Sequence, residues 1–139
     1  MNTGKSITVQ TLIQAPIEKV RDAFTKPEHI VHWYFASDDW KAPSAKNDLR
    51  VGGVFKTRMC AKDKSAGFDF EGKYTTVVEK KTIEYVLADD RKIKVDFAKE
   101  VEGVRVTETF DMETENSEEL QRAGWQAILE NFKKYVESH

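Results

Sequence analysis

Apolar and polar residues alternate along most of this chain, and the places where the alternation stops mark its helices. In residues 5–14, Ile7 and Val9 alternate with polar neighbours, which is a strand pattern. Pro16 then stands where a first helical residue belongs, with Glu18 in the first turn. Val20, Ala23 and Phe24 follow at helical spacing. Thr25-Lys26-Pro27 stops that helix, and Pro27 opens a second short one running through Trp33. Residues 34–46 contain Ser37-Asp38-Asp39 and Ala42-Pro43-Ser44, and are predicted as a loop with aromatic content.

From Asn47 the period becomes two. Val51, Phe55, Thr57 and Met59 share one parity, and Gly52-Gly53 interrupts the run, which predicts a bulge or sharp bend inside a strand. Lys62-Asp63-Lys64-Ser65 reads as a turn. Phe68, Phe70, Gly72, Tyr74, Thr76 and Val78 form the next parity set, and Lys80-Lys81 reverses the chain. Ile83, Tyr85 and Leu87 follow, then Asp89-Asp90, then Ile93, Val95 and Phe97. Glu102-Gly103 is a hairpin signal, after which Val104, Val106, Glu108, Phe110 and Met112 make the last strand. The pattern predicts an antiparallel meander of about five strands.

The chain closes on a long helix. Asn116 and Glu119 have capping-box spacing. Leu120, Gly124, Ala127, Ile128 and Asn131 lie along one side, with Trp125, Leu129, Phe132 and Val136 beside them. The apolar arc is broad, which predicts heavy burial. Residues 117–138 would measure ~33 Å at 1.5 Å per residue, about the length of a nine- or ten-residue strand. One such helix can cross the whole concave face of a curved sheet. The reading is α+β: a single two-layer domain over residues 1–139.

Composition narrows the function classes. The chain has 139 residues, 40% hydrophobic and 33% charged, which is a globular rather than a disordered composition. A net charge of −2, with both signs interspersed, supplies no footprint for a nucleic-acid backbone. No apolar run is long enough to span a membrane. The opening Met1-Asn2-Thr3-Gly4-Lys5 leads into the first strand without a signal-peptide core. Cys60 is the single cysteine, so no internal disulfide forms and a reducing compartment is expected. The expectation is a cytoplasmic protein, monomer or homodimer, with no nucleic-acid partner and no membrane span.

Several motifs stand in a familiar order. Ala15-Pro16-Ile17-Glu18-Lys19-Val20, then Phe24-Thr25-Lys26-Pro27-Glu28, then Trp33, resemble the opening signature of the SRPBCC superfamily, the START and birch-pollen-allergen-like proteins. Asp48-Leu49-Arg50-Val51-Gly52-Gly53-Val54-Phe55 and Gly72-Lys73-Tyr74 are similar to its middle motifs. Gln121-Arg122-Ala123-Gly124-Trp125, with Leu129-Glu130-Asn131-Phe132, is similar to its last helix. The subgroup it most resembles is named for the C-terminal domain of the heat-shock-protein-90 ATPase activator. Those activators carry a further N-terminal domain, whereas here the first strand begins at once. The resemblance covers nearly the whole chain. It implies a helix-grip fold, in which a curved antiparallel sheet wraps the C-terminal helix and leaves a cavity between them. It also implies either a small apolar or amphipathic ligand or, alternatively, a chaperone partner and a stress-response role. Because this superfamily hosts carriers, cyclases and co-chaperones alike, fold does not fix function.

Within that fold the inward parities nominate a ligand-binding set. Trp33, Phe35 and Trp40, together with Tyr34, fall near the expected cavity mouth. Phe55, Met59, Phe68, Phe70, Tyr85, Phe97 and Phe110 lie on inward strand positions, with Trp125 and Leu129 on the helix. The competing reading is that these are ordinary core residues. Glu108 shares the inward face of the last strand, where a carboxylate is costly unless paired. It could orient a ligand hydroxyl or act as a general base, unless a bulge or a partner satisfies it. His29 and His32 share a helix face, but two ligands without a third make a solvated surface the better reading, and no metal site is expected. Asp38-Asp39 and Asp89-Asp90 read as loop and turn residues. Cys60 has the outward parity and no placeable partner. Gly52-Gly53 opens no helix and is no phosphate cradle. No catalytic constellation and no cofactor motif emerges. The expected function is non-catalytic binding of a small hydrophobic or amphipathic molecule, with a co-chaperone activator and a cavity enzyme (cyclase, hydrolase or lyase) as alternatives.

Overall fold

A computed structural model describes residues 5–138; the N-terminal Met1-Asn2-Thr3-Gly4 lies outside them. The elements run β1 (Ser6–Ile13), α1 (Ile17–Thr25), α2 (Pro27–Ile30), β2 (Trp40–Asn47), β3 (Val54–Ala61), β4 (Gly67–Val78), β5 (Thr82–Leu87), β6 (Lys92–Glu100), β7 (Gly103–Asp111) and α3 (Glu118–Ser138). The strands form one seven-stranded antiparallel sheet in the order β1-β7-β6-β5-β4-β3-β2. The sheet curls into a half-barrel with α3 as the gripped helix, so the α+β helix-grip expectation holds. Alternation sets the faces: Ile7, Val9 and Ile13 of β1 and Val104, Val106 and Phe110 of β7 are buried, while their neighbours face outward or are part-exposed.

Four local expectations are corrected. The segment predicted as a loop over 34–46 contains β2, which pairs with β3 and leaves only residues 34–39 irregular. Pro43 and the register shift between Lys41 and Ser44 broke its period, and both suit an edge strand. Gly52-Gly53 makes no bulge within a strand but lies in the turn between β2 and β3. Gly52 has φ +85°, and a Cβ on Gly53 would fall 2.1 Å from the Asp48 carbonyl oxygen. The sheet's own irregularity in β4 sits between Tyr74 and Thr76, so Val77 packs against the core and Val78 is exposed. Finally, α3 is capped by Ser117, whose Oγ accepts the Leu120 N–H at 3.1 Å, rather than by the Asn116–Glu119 pair.

One end of the grip is closed by aromatic rings. Phe24 of α1 touches Trp33, Phe97 and Phe132 at centroid distances of 5.3–5.5 Å, and Trp33 lies 4.6 Å from Phe132. Trp33 is 1% exposed and its indole N–H donates to the Ala23 carbonyl at 2.9 Å. His29 and Tyr135 share a hydrogen bond of 2.6 Å, and the His32 ring stacks on Tyr135 at 5.6 Å, so this pair helps hold α2 on α3.

The helix also seals a sheet edge. Strand β1 pairs only with β7, so alternate carbonyls face away from the sheet. Side chains of α3 take them in turn. Arg122 donates to the Thr8 carbonyl at 3.0 Å, Gln126 to Gln10 at 3.2 Å and Lys133 to Leu12 at 2.7 Å. The Gln14 N–H donates to Glu137 at 2.9 Å. A helix turn and two strand residues advance by similar lengths, about 5.4 and 6.6 Å, which lets one polar helix face serve a strand edge.

Candidate functional site

Beyond the aromatic plug, whose Trp33 meets Tyr34 at 4.8 Å, a cavity of about 410 Å³ lies between the sheet and the N-terminal half of α3. Trp40, Met59, Phe68 and Phe70 line its sheet side, Trp125 and Ile128 its helix side, and Tyr34 the loop side. It stays open because α3 offers little to fill it. Gly124 lines the cavity without a side chain, and a Cβ there would meet nothing within 4 Å. Leu120 at the rim is 60% exposed and Phe68 47%, so the helix is less buried at its N-terminal half than its apolar arc predicted. Gln121 is the exception: buried, it accepts the Glu113 N–H and donates to the Glu113 and Asn116 carbonyls, which ties the β7–α3 connection down beside the mouth.

The walls are built from paired rings. Phe110 and Trp125 stack nearly parallel at 3.9 Å, Phe70 meets Trp125 edge-on at 6.1 Å and Tyr34 at 5.6 Å, and Trp40 lies 6.0 Å from Phe68. Such faces suit flat apolar matter and, through their quadrupoles, cations.

Glu108 lies among these rings. It is 5% exposed and lines the cavity, and among the described residues nothing donates a hydrogen bond to its carboxyl. Burial alone pushes its pKa up to about 8. The Tyr34 and Tyr85 phenols lie beside it, and both are held well above the usual phenol range, first by burial and then by neighbouring groups that include Glu108. At the rim, Arg91 lines the mouth but is paired with Asp89 at 2.7 Å. Glu113, also at the rim, accepts from the Asn116 N–H at 2.7 Å.

The residues nominated from the sequence separate by where the structure places them. Trp40, Met59, Phe68, Phe70, Glu108 and Trp125 surround the cavity. Phe55, Tyr85 and Phe110 are buried in the sheet and contact the lining rings; Phe55 packs on Tyr85 at 4.7 Å and on Phe70 at 5.7 Å. Trp33, Phe97 and Leu129 belong to the packed core and do not line it, and Phe35 lies in a shallow groove on another side of α3, with Asn131 and Lys134. Strand parity separates inward from outward but not one end of a strand's concave face from the other, so it could not distinguish plug from cavity. Arg91, Gln121 and Gly124 were missed. Only Gly124, a gap in an otherwise apolar helix face, carried a signal in the sequence. Cys60 is part-exposed, and among the described residues no group of His, Cys, Asp and Glu is arranged to hold a metal ion.

A curled antiparallel sheet gripping a C-terminal helix, with a cavity at one end, defines the SRPBCC class of domain. Within that class the chain belongs to the family of activator of Hsp90 ATPase homolog 1-like proteins, whose model matches residues 14–137. It resembles the solution structure of an AHSA1-like protein from Aeromonas hydrophila at TM-score 0.91 and 45% identity, covering 96% of this chain and 93% of that one. The solution structure of Chr148 from Cytophaga hutchinsonii is similar at TM-score 0.84 and 45% identity, over 97% and 94% of the two chains. Protein NE0264 from Nitrosomonas europaea shares the fold at TM-score 0.83 and 18% identity, over 99% and 97%. Among curated proteins, none matches the chain. No helix among the described residues is long and apolar enough to cross a membrane.

Proposed function

We propose that this protein binds a small apolar or amphipathic molecule in the cavity between sheet and α3, without transforming it. The observation that carries the reading is the cavity itself: about 410 Å³ of space walled by aromatic rings, with an acidic group inside, Glu108, that has no partner among the described residues. Ligand sites are typically apolar hollows with a few placed polar groups, and this one has those proportions. The irregular segment 34–39, which supplies Tyr34, Ala36 and Ser37 to the lining, is the natural route in.

Native mass spectrometry of freshly purified protein tests the reading, with an apolar fluorescent dye as second probe. A co-purified small molecule, or dye binding that quenches indole emission, is expected. The response should vanish in the Trp40→Phe, Trp125→Phe double variant and survive in Trp33→Phe, because Trp33 is sealed at the closed end. An empty protein that ignores the dye would refute the proposal. The family description favours a second reading, stimulation of a chaperone ATPase, which a measured ATPase rate with and without this protein would check.

A further inference from the structure

We propose that the occupant of this cavity carries a protonated amine on an apolar or aromatic body, and that Glu108 is its counter-charge. The inference rests on the binding reading above and names the class of ligand. Four features of the site lead there.

Glu108 is more than nine-tenths buried, yet it faces open space rather than a donor. Its backbone is fixed in mid-strand, between Val9 of β1 and Val95 of β6, so the carboxyl cannot withdraw to solvent without breaking the ladder. The groups that face it from the packed elements are Tyr34 of the loop and Tyr85 of β5; both are buried, neutral phenols, and neither makes a hydrogen bond to the carboxyl. The nearest titratable group behind them, Tyr74, donates to Asn47. The cavity's cation, Arg91, is held at the rim by Asp89, and the other rim charge, Glu113, is acidic. Among the described residues, the cavity therefore holds an acid with no free base to match it. An ammonium group would complete that pair, with the faces of Tyr34, Phe70 and Trp125 stabilising the same positive charge. A carboxylate ligand would find no counter-charge in Glu108 and would hold it protonated.

Binding then displaces a proton. Glu108 is mostly protonated in the empty cavity near neutral pH, and the arriving ammonium ion drives that proton to solvent. Nothing else is consumed or formed.

The test uses three probes on one scaffold, naphthylethylamine, naphthylethanol and naphthylacetate, titrated calorimetrically into the full chain. The amine is expected to bind at least about tenfold tighter than the alcohol, and the acetate more weakly than either. Repeating the amine titration in two buffers of different ionisation enthalpy should show close to one proton released at pH 7. The amine's affinity should rise up to about tenfold between pH 6 and 7 and level off above pH 8. Glu108→Gln should lose the preference for the amine, the proton release and the pH dependence, while still binding naphthylethanol. Because the proton count is read on the unaltered protein, a misfolded variant does not protect the proposal. Equal binding of amine and alcohol, or no proton release, would overturn the amine assignment and leave the binding reading intact. Failure of all three probes would overturn both.

Discussion

Glu108 should make the folded protein less stable as pH rises, and its removal should reverse this. The carboxyl goes from an ordinary value near 4.5 to about 8 on folding, through burial alone. Between those values the folded protein holds a proton that the unfolded chain has released, so raising the pH favours the unfolded chain. Below the lower value both states are protonated and the effect vanishes. Above the upper value both are ionised and the penalty reaches its ceiling, roughly 5 kcal/mol for a shift of this size at 1.36 kcal/mol per unit. At pH 7 the same arithmetic gives about 3 kcal/mol. Glu108→Gln keeps the shape and the neutral polar group but cannot ionise. The variant should match the parent near pH 4 and exceed it by about 3 kcal/mol at pH 7, which is on the order of 10 °C in Tm for a domain of this length. Urea unfolding followed by circular dichroism from pH 4 to 8 measures it. Every other titratable group is present in both proteins and cancels in the difference. Two stability curves that run parallel across that range would show that the Glu108 carboxyl is already solvated or paired, and would remove the physical basis of the unmatched charge.

Other perturbations test the frame around the cavity. Trp33→Ala should cost about 3–5 kcal/mol in chemical unfolding, and Trp125→Ala distinctly less, because Trp33 is sealed in the plug and Trp125 is half-buried on the cavity wall. Equal costs would contradict the two-ended picture. Gly53→Ala should destabilise more than Gly52→Ala: the first drives a Cβ into the Asp48 backbone, whereas the second meets open space and carries only the roughly 1–2 kcal/mol strain of a positive φ. Replacing Arg122, Gln126 and Lys133 together by Ala should uncover the β1 edge and produce dimers or larger species in light scattering, and a triple variant that stays at the parent's size would mean that the edge needs no cover.

What the sequence made legible follows from which forces are local. Strand faces were readable because alternation is imposed residue by residue: Val104, Val106, Glu108 and Phe110 are all inward, as their parity requires. The second strand was not, because an edge strand with a proline, a register shift and solvent on one side has no clean period. The capping residue was missed by one position, since Ser117 and Asn116 are both competent caps and only the helix's docking angle selects between them. The site was half legible. Parity found the strand residues that point inward but gave no coordinate along the grip, so Phe97 of the plug looked the same as Phe70 and Met59 of the cavity, and Trp33, expected at the mouth from its place before the loop, is sealed in the plug instead. The β1 seal was also invisible, because Arg122, Gln126 and Lys133 read as a polar face until the strand edge beneath them is known.

The division of the grip into a plugged end and an open end explains why a costly acid can persist in it. The aromatic cluster of Phe24, Trp33, Phe97 and Phe132 closes one end, and the α3 side chains seal β1, so stability has sources that do not pass through the cavity. The open end can then be under-packed: Gly124 leaves room, Leu120 and Phe68 are wet, and Glu108 stands unmatched. Each of these lowers the stability of the empty protein, and on the proposed reading a single event would offset all of them, the arrival of an apolar molecule bearing a positive charge. Filling the space would restore packing, covering the rim would bury the two exposed side chains, and the new ion pair would let Glu108 ionise where it lies. Among the described residues no cationic side chain takes that place beside Glu108.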